Sequence, residues 1–205
     1  APKVSITPDA ILTNAGYTTK NLTINGSLEA GLHQIFSFSG TGAVSFATNK
    51  VLKEVYPQWW GAKGDGATDD LLAIRAAVAS GAKRLVFADT GSRYHVSDQI
   101  ELVSNQDIVL QGQATIRTTY AADPIKPIFN FSGSIHDVSI KGGILEGTCT
   151  TGLGTLDVAH IKGLINYSGG SPYNITIDGV EIRYSYSAGL DFIGPNSTNI
   201  RILRS

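Results

Sequence analysis

The sequence predicts an all-β solenoid with a single helix, and three observations support this class. Charged residues make up only 16% of the 205 residues. Gly, Ser, Thr, Asn, Ile and Val are prominent instead, and these residues favour strands and tight turns. A short motif recurs in the second half of the chain. One segment alone spaces its apolar residues as a helix does.

The recurring motif is an Asn or Asp, then two apolar residues separated by one variable residue, then usually a polar residue and glycine. Its copies are DIVLQG at 107–112, DVSIKG at 137–142, NITIDG at 174–179 and NIRILR at 199–204, which lacks the glycine. The copies start 30, 37 and 25 residues apart, a spacing typical of solenoids. Each predicts a strand of about four residues with its apolar side chains on one face. The flanking polar residue and glycine suit turns with positive φ.

Further apolar pairs follow the copies, so each repeat is expected to supply two or three strands around one coil. These pairs are Ile144–Leu145, Val180–Ile182 and Leu190–Phe192. Stacked coils would form three parallel sheets around an Ile/Val/Leu core, each coil burying its interior against its neighbours. A β-sandwich with loosely similar strands is the alternative. The absence of two-residue hairpin signals argues against it.

The chain divides into zones of different composition. Residues 1–55 are polar and rich in Gly, Thr and Ser, and KNLTINGS at 20–27 and HQIFSFSG at 33–40 predict short strands between glycine turns. We expect a small β-rich module there. Residues 82–205 hold the first coils of the solenoid, which we expect to continue in a longer protein.

Residues 56–81 are assigned to a linker and the helix. The helix is predicted over 69–80, where apolar residues recur at helical spacing at Leu71, Ile74, Ala77 and Val78. Asp69 and Asp70 stand at its start. A carboxylate there can accept hydrogen bonds from first-turn amides and oppose the helix dipole.

Composition excludes several function classes. The net charge is −1 and no basic run is present, so nucleic acid is not an expected partner. No stretch of about 18 apolar residues predicts a membrane span. The lone Cys149 cannot form an intramolecular disulfide. Because the four histidines are scattered without metal-ligand spacing, no metal or cofactor is expected.

GAKGDGATDD at 61–70, followed by LLAIRAAVASGAKRLVFAD, resembles the N-terminal signature of the pectate-lyase superfamily. Phage tailspikes and polysaccharide-degrading enzymes share that signature. The resemblance covers residues 28–90 strongly and the repeats loosely. It implies a right-handed parallel β-helix whose N-terminal end is closed by a capping helix.

The same resemblance implies structural roles for the residues of the signature. Gly64 and Gly66 would permit a sharp backbone path, Asp65 would tie the loop, and Asp69 and Asp70 would anchor the start of the helix. A metal site or a catalytic carboxylate pair at these acids is the alternative. The structural role is favoured because capping explains the same residues.

Polysaccharide hydrolysis needs two carboxyl groups, about 5 Å apart in retaining enzymes and about 6.5–9.5 Å apart in inverting ones. The catalytic candidates are the acids of the repeat region that could face outward, Glu146, Asp178, Glu181 and Asp191. Tyr184 and Tyr186 alternate beside them and are candidates for stacking on sugar. The motifs of polygalacturonases and of Ca²⁺-dependent lyases are not visible, so we expect the catalytic residues to lie C-terminal to Ser205.

The resulting hypothesis is a phage tailspike or tail-fibre protein, homotrimeric and attached to tail or baseplate proteins of the virion. It would bind a bacterial surface polysaccharide, and depolymerisation of that polysaccharide stays open. One alternative is a secreted bacterial polysaccharide lyase or glycoside hydrolase. Another is a non-enzymatic adhesin or structural fibre. Fold alone does not decide among them, because function resides in sites carried by the scaffold.

Overall fold

A computed structural model of the chain describes residues 4–7, 10–17, 19–47, 54–119, 126–148, 163–185, 189–191 and 197–204. Within these residues the fold is all-β, with parallel sheets and one α-helix. The strands form two groups, one before and one after that helix in the sequence.

The first group is the N-terminal module. Its strands are two or three residues long: β1 (Val4–Ser5), β2 (Leu12–Thr13), β3 (Leu22–Ile24), β4 (Leu28–Glu29), β5 (Phe36–Ser37) and β6 (Val44–Phe46). β1 pairs with β4, β2 with β5 and β3 with β6, all in parallel. The short strands predicted in 20–27 and 33–40 are confirmed as β3 and β5. Their parallel partners are not evident from the sequence.

The second group, which we call the main stack, follows the helix. Its strands are β7 (Arg84–Phe87), β8 (Arg93–Val96), β9 (Ile100–Glu101), β10 (Gln106–Leu110), β11 (Thr115–Thr118), β12 (Phe129–Ser132), β13 (His136–Lys141), β14 (Ile144–Glu146), β15 (Ile165–Ser168), β16 (Tyr173–Asp178), β17 (Glu181–Arg183), β18 (Leu190–Asp191) and β19 (Thr198–Leu203). The first sheet has the order β7-β10-β13-β16-β19, the second β8-β11-β14-β17 and the third β9-β12-β15-β18. All neighbours are parallel, as the repeats predict.

Three consecutive strands, one in each sheet, make a rung, and the rungs stack in register. Equivalent apolar side chains form columns that fill the interior. The column of the first sheet is Leu85, Ile108, Ile140 and Ile177; that of the second is Tyr94, Ile116, Leu145 and Ile182; that of the third is Ile100, Phe129, Ile165 and Leu190. Each rung therefore buries its core against the next one.

Polar residues with left-handed backbone lie where the chain enters the first sheet. Asp137, Asn174 and Asn199 have φ of 56°, 55° and 53°, as predicted for the polar residue of each motif copy. The predicted start of the first motif copy, at Asp107, is wrong by two residues. Asp107 lies within β10, opposite Ser139 of β13, and Asn105 has the left-handed conformation.

The predicted helix is confirmed as α1 (Leu71–Ala79), preceded by a 3₁₀ turn, η1 (Pro57–Trp60). All four apolar residues expected on its inner face are buried. The segment that contains α1 contacts each strand of the first rung. Val55 pairs with β7, the Asp70 amide donates to the His95 carbonyl in β8 (2.9 Å), and the Arg75 guanidinium donates to the Gln99 carbonyl beside β9 (2.5 Å).

The opposite side of the same segment contacts the N-terminal module. The Ile35 amide donates to the Trp59 carbonyl (3.0 Å), and the Phe46 amide donates to the Ser80 carbonyl (3.0 Å). The Trp59 indole Nε1 donates to the Gly31 carbonyl (3.0 Å). The segment of η1 and α1 is thus a joint between two groups of parallel strands, which is a larger role than covering one end of a stack.

Candidate functional site

The predicted catalytic acids are divided among the sheets of the main stack. Glu146 ends β14 and Glu181 begins β17, both in the second sheet. Asp178 ends β16 in the first sheet, and Asp191 ends β18 in the third. The structure therefore brings only Glu146 and Glu181 to one surface. Tyr186 lies outside the described residues.

The outer face of the second sheet carries a row of charged side chains together with one histidine. Because the second-sheet core column points inward, residues next to it in each strand point outward. One register position across the four strands is occupied by His95, Arg117, Glu146 and Arg183. Arg93 and Glu181 lie two residues earlier in their strands. We call these six residues the charged row.

Glu146 is the centre of the charged row. Only 7% of the residue is exposed, and its Oε1 lies 3.0 Å from Nη1 of Arg93 and 3.3 Å from Nε of Arg117. A carboxylate this buried needs opposite charge close by. The two guanidinium groups meet that need and hold Glu146 in place.

In two other candidate acids, both carboxylate oxygens accept hydrogen bonds from a single arginine. Glu181 accepts from Nε and Nη2 of Arg183 at 2.6 and 3.0 Å, and Asp178 accepts from those of Arg204 at 2.8 and 2.5 Å. These hydrogen bonds lower the pKa of Glu181 and of Asp178. A general acid needs a raised pKa, so neither carboxyl group is suited to protonate a leaving group.

Asp191 stands at the end of a polar column on the third sheet, after Glu101, Asn130 and Asn166. The two asparagines are only 2% and 3% exposed. Asn166 donates to the Asn130 side-chain oxygen (2.9 Å), and Asn130 donates to both oxygens of Glu101 (2.9 Å each). These hydrogen bonds link Glu101, Asn130 and Asn166 to one another, which indicates a structural role for these three residues.

Tyr184 has an unusual conformation beside the charged row. Its φ is 52°, which is rare for a bulky residue, and 57% of it is exposed. It directly follows Arg183, and its carbonyl lies so close to Gly147 that a Cβ there would collide with it. Strained backbone is concentrated at functional sites. An exposed aromatic ring in this setting is available for stacking on a ligand.

The loop of the family signature is built from hydrogen bonds to its own backbone. Asp65 accepts from the amides of Ala67 (2.9 Å) and Thr68 (2.7 Å) and from the Thr68 hydroxyl (2.8 Å). The Thr68 amide and then the Ala67 amide are the main reasons why the pKa of Asp65 falls to about 2. Gly64 and Gly66 have φ of 58° and 77°, as their assigned role requires.

The last two acids of the loop have different partners. Asp69 accepts from the Leu71 amide at the start of α1 (3.1 Å), as helix capping predicts. The prediction that Asp70 caps the helix with its side chain is wrong. Its buried carboxylate turns back to the amides of Lys63 (2.6 Å) and Gly64 (3.0 Å), and burial raises its pKa.

The sequence interpretation did not identify the arginines and histidine of the charged row. They lie outside the recurring motif, in RYHV at 93–96, TIRT at 115–118 and EIR at 181–183. Each of these four residues is adjacent in sequence to the apolar residue that its strand contributes to the second-sheet core column. Aligning the second strand of every repeat would have placed Arg117, Glu146 and Arg183 together.

Comparison with protein-family models, curated proteins and solved structures found no match. The described part of the chain contains no group of three or more His, Cys, Asp or Glu residues placed to hold a metal ion. No helix in it has the length and apolar character needed to cross a membrane.

Proposed function

We propose that the chain is a right-handed parallel β-helix of the pectate-lyase superfamily type. In this proposal it acts as a phage tailspike or tail-fibre protein that binds a bacterial surface polysaccharide. Three parallel sheets visited in rotation support the fold assignment, and the loop at 61–70 supports the family. One observation carries the binding role: exposed, strained Tyr184 directly follows Arg183 at the end of β17, in the sheet whose outer face also carries Arg93 and Arg117.

The chemistry of the surface suits a glycan. Sugar rings present C–H faces that pack on aromatic rings and hydroxyl groups that accept hydrogen bonds from guanidinium N–H groups. Neighbouring strands of a sheet lie ~4.7–4.9 Å apart. The charged row therefore offers a donor-rich surface long enough for successive sugars of a chain that runs across the rungs.

A non-enzymatic adhesin or fibre is the second candidate function. Glu146, Glu181 and Asp178 are all held by arginine, which favours binding without cleavage by the described residues. The first candidate function, the tailspike or tail-fibre protein, also implies a homotrimer attached to the virion tail. In that case cleavage would require carboxyl groups other than these three.

The test is an array of bacterial capsular and O-antigen polysaccharides probed with the 205-residue chain. Tyr184→Asn removes the ring and keeps a residue that tolerates positive φ. We expect about tenfold weaker binding, since an aromatic contact is worth ~0.5–1.5 kcal/mol beyond its area. Tyr17→Ala is the matched control, because Tyr17 is 63% exposed in the N-terminal module.

Two results would contradict the proposal: no polysaccharide is bound, or Tyr17→Ala weakens binding as much as Tyr184→Asn. Reducing ends and unsaturated products, followed on each bound polysaccharide, separate the two candidate functions. Products would favour the depolymerising tailspike, and binding without products would favour the adhesin.

A further inference from the structure

The charges around Glu146 do not balance. Both Arg93 and Arg117 approach the same carboxylate oxygen, Oε1, at 3.0 and 3.3 Å. Glu181 does not supply the second negative charge, because both of its oxygens are taken by Arg183. Two guanidinium groups therefore share one carboxylate, and this unit carries an excess of one positive charge.

The excess charge is placed where a ligand can reach it. The side chains of Arg93 and Arg117 are 39% and 31% exposed, whereas that of Glu146 is 9% exposed. Within the part of the chain that the structure describes, Arg117 makes this one ion pair and donates no hydrogen bond with good geometry. A guanidinium group has five N–H donors in a planar fork that matches carboxylate and phosphate oxygens.

We infer that Arg117, with Arg93 beside it, binds an anionic group of the glycan, so that the ligand is an acidic polysaccharide. The inference rests on the proposed function and names its substrate class. The anion would complete a pairing of two guanidinium groups with two negative charges. Uronate carboxylates and glycan phosphates share the necessary chemistry, and the experiment separates these two sources.

The first arm of the experiment uses three matched sugars: glucuronate, glucose 6-phosphate and glucose. Each is titrated into the isotopically labelled chain while the Nε–H resonance of Arg117 is followed by NMR. We expect the resonance to shift with one or both anionic sugars and to stay unchanged with glucose. A shift with glucuronate alone identifies the carboxylate as the source, and a shift with glucose 6-phosphate alone identifies the phosphate.

The second arm measures the affinity of the chain for acidic polysaccharides of the array and compares variants. Arg117→Gln keeps a polar side chain beside Glu146 and removes the charge, and we expect at least tenfold weaker binding. Arg201→Gln is the control, because Arg201 lies on β19 of the first sheet. Glu146→Gln should strengthen binding severalfold, since it leaves both guanidinium groups without an internal anion. Higher ionic strength should weaken binding by wild type.

Circular dichroism and thermal melting verify that each variant is folded. If Arg117→Gln melts lower than wild type but binds the acidic polysaccharide equally well, the unit is structural and the inference is wrong. Equal shifts with glucose and the anionic sugars, or no shift with any of them, would also overturn it. Tyr184-dependent binding of a neutral polysaccharide would overturn the inference and leave the proposed function intact. Small anions that bind at Arg117 while no polysaccharide binds would overturn the proposed function and, with it, the assignment of the ligand as an acidic polysaccharide.

Discussion

The N-terminal module and the main stack share one arrangement and differ in the length of their strands. Both pair parallel strands in three sheets that the chain visits in turn. Strands of the module have two or three residues, whereas the first sheet of the main stack has strands of four to six. The longer strands of the first sheet place more side chains of each rung in the interior.

The two groups also differ in where their buried residues find partners. Ile108, Ile140 and Phe129 in the core columns of the main stack are fully buried. In the module, Ile11 and Leu12 are 49% and 39% exposed, whereas Phe36 and Phe46 are buried and pack against Trp60 of the joint. In a stack of rungs, stability is approximately the sum of terms within rungs and between neighbouring rungs. The module therefore depends on its contacts with the joint, while the main stack is stabilised by its own columns.

The largest expected effect comes from a core column of the main stack. Phe129 is fully buried, and Phe129→Ala should lower the free energy of unfolding by ~3–5 kcal/mol, because it removes a large apolar side chain and leaves a cavity. Urea denaturation followed by circular dichroism measures the change. Leu22→Ala in β3 is the comparison and should cost less, since Leu22 is only half-buried. Equal costs would contradict the difference between the two groups.

A smaller effect is expected at the joint. Trp59 is 2% exposed and bonds the Gly31 carbonyl through Nε1. Trp59→Phe keeps an aromatic ring and leaves that carbonyl without its donor, which typically costs ~1–3 kcal/mol. Hydrogen exchange should show faster exchange of the amides of β3 and β5, with those of β10 and β13 unchanged. Faster exchange throughout the chain would show that the two groups unfold together.

The sequence predicts the first sheet well because each motif copy contains most of one strand of that sheet, although β7 has no copy. The apolar pair supplies the core column, and the polar residue that precedes it takes positive φ at Asp137, Asn174 and Asn199. The first copy is misaligned because Gln106 fills a core position that is apolar in the other copies. It is buried and donates to the carbonyls of Val78 and Ala82 at 3.3 and 3.1 Å, which ties the end of α1 to β10.

The candidate site is less predictable because the second and third strands of each repeat follow turns of variable length. Because packing sets the register of these strands, their partners in the neighbouring rung cannot be found by counting residues along the chain. Glu146 and Asp191 are both predicted as outward-facing acids, yet they lie on different sheets. Arg117 becomes relevant only when its register with Glu146 is known.

A further prediction compares two asparagines that link the rungs of the module. Asn14 is 7% exposed, accepts from the Ser39 amide (2.9 Å) and donates to the Ser39 carbonyl (2.9 Å). Asn14→Ala should cost about 1–2 kcal/mol, because it removes two hydrogen bonds and leaves a backbone amide unpaired. Asn21→Ala is the control, since Asn21 accepts from the Ala43 amide (3.0 Å) on the exposed surface. Limited proteolysis of the module should be faster in Asn14→Ala than in Asn21→Ala, and the reverse order would be inconsistent with burial as the cause.

The smallest expected effects lie in the loop of the joint, where two neighbouring acids should respond to pH in opposite directions. The pKa of Asp65 is lowered to about 2 in the folded state, below an unfolded value of roughly 3.9. Asp65 therefore contributes stability above the unfolded pKa, and this contribution is lost as pH falls from about 4 through about 2. The pKa of Asp70 is raised by burial, so folding disfavours its charged form, and its effect on stability becomes more favourable as pH falls through the raised pKa.

Asn substitutions isolate each contribution because the amide does not titrate. Thermal melting of wild type, Asp65→Asn and Asp70→Asn at a series of pH values between about 2 and 7 should show opposite changes in slope. Asp65→Asn should lose less stability than wild type on acidification, and Asp70→Asn should lose more. If both variants follow the wild-type slope, these acids do not couple the joint to pH. The difference between the module and the main stack would then rest on burial alone.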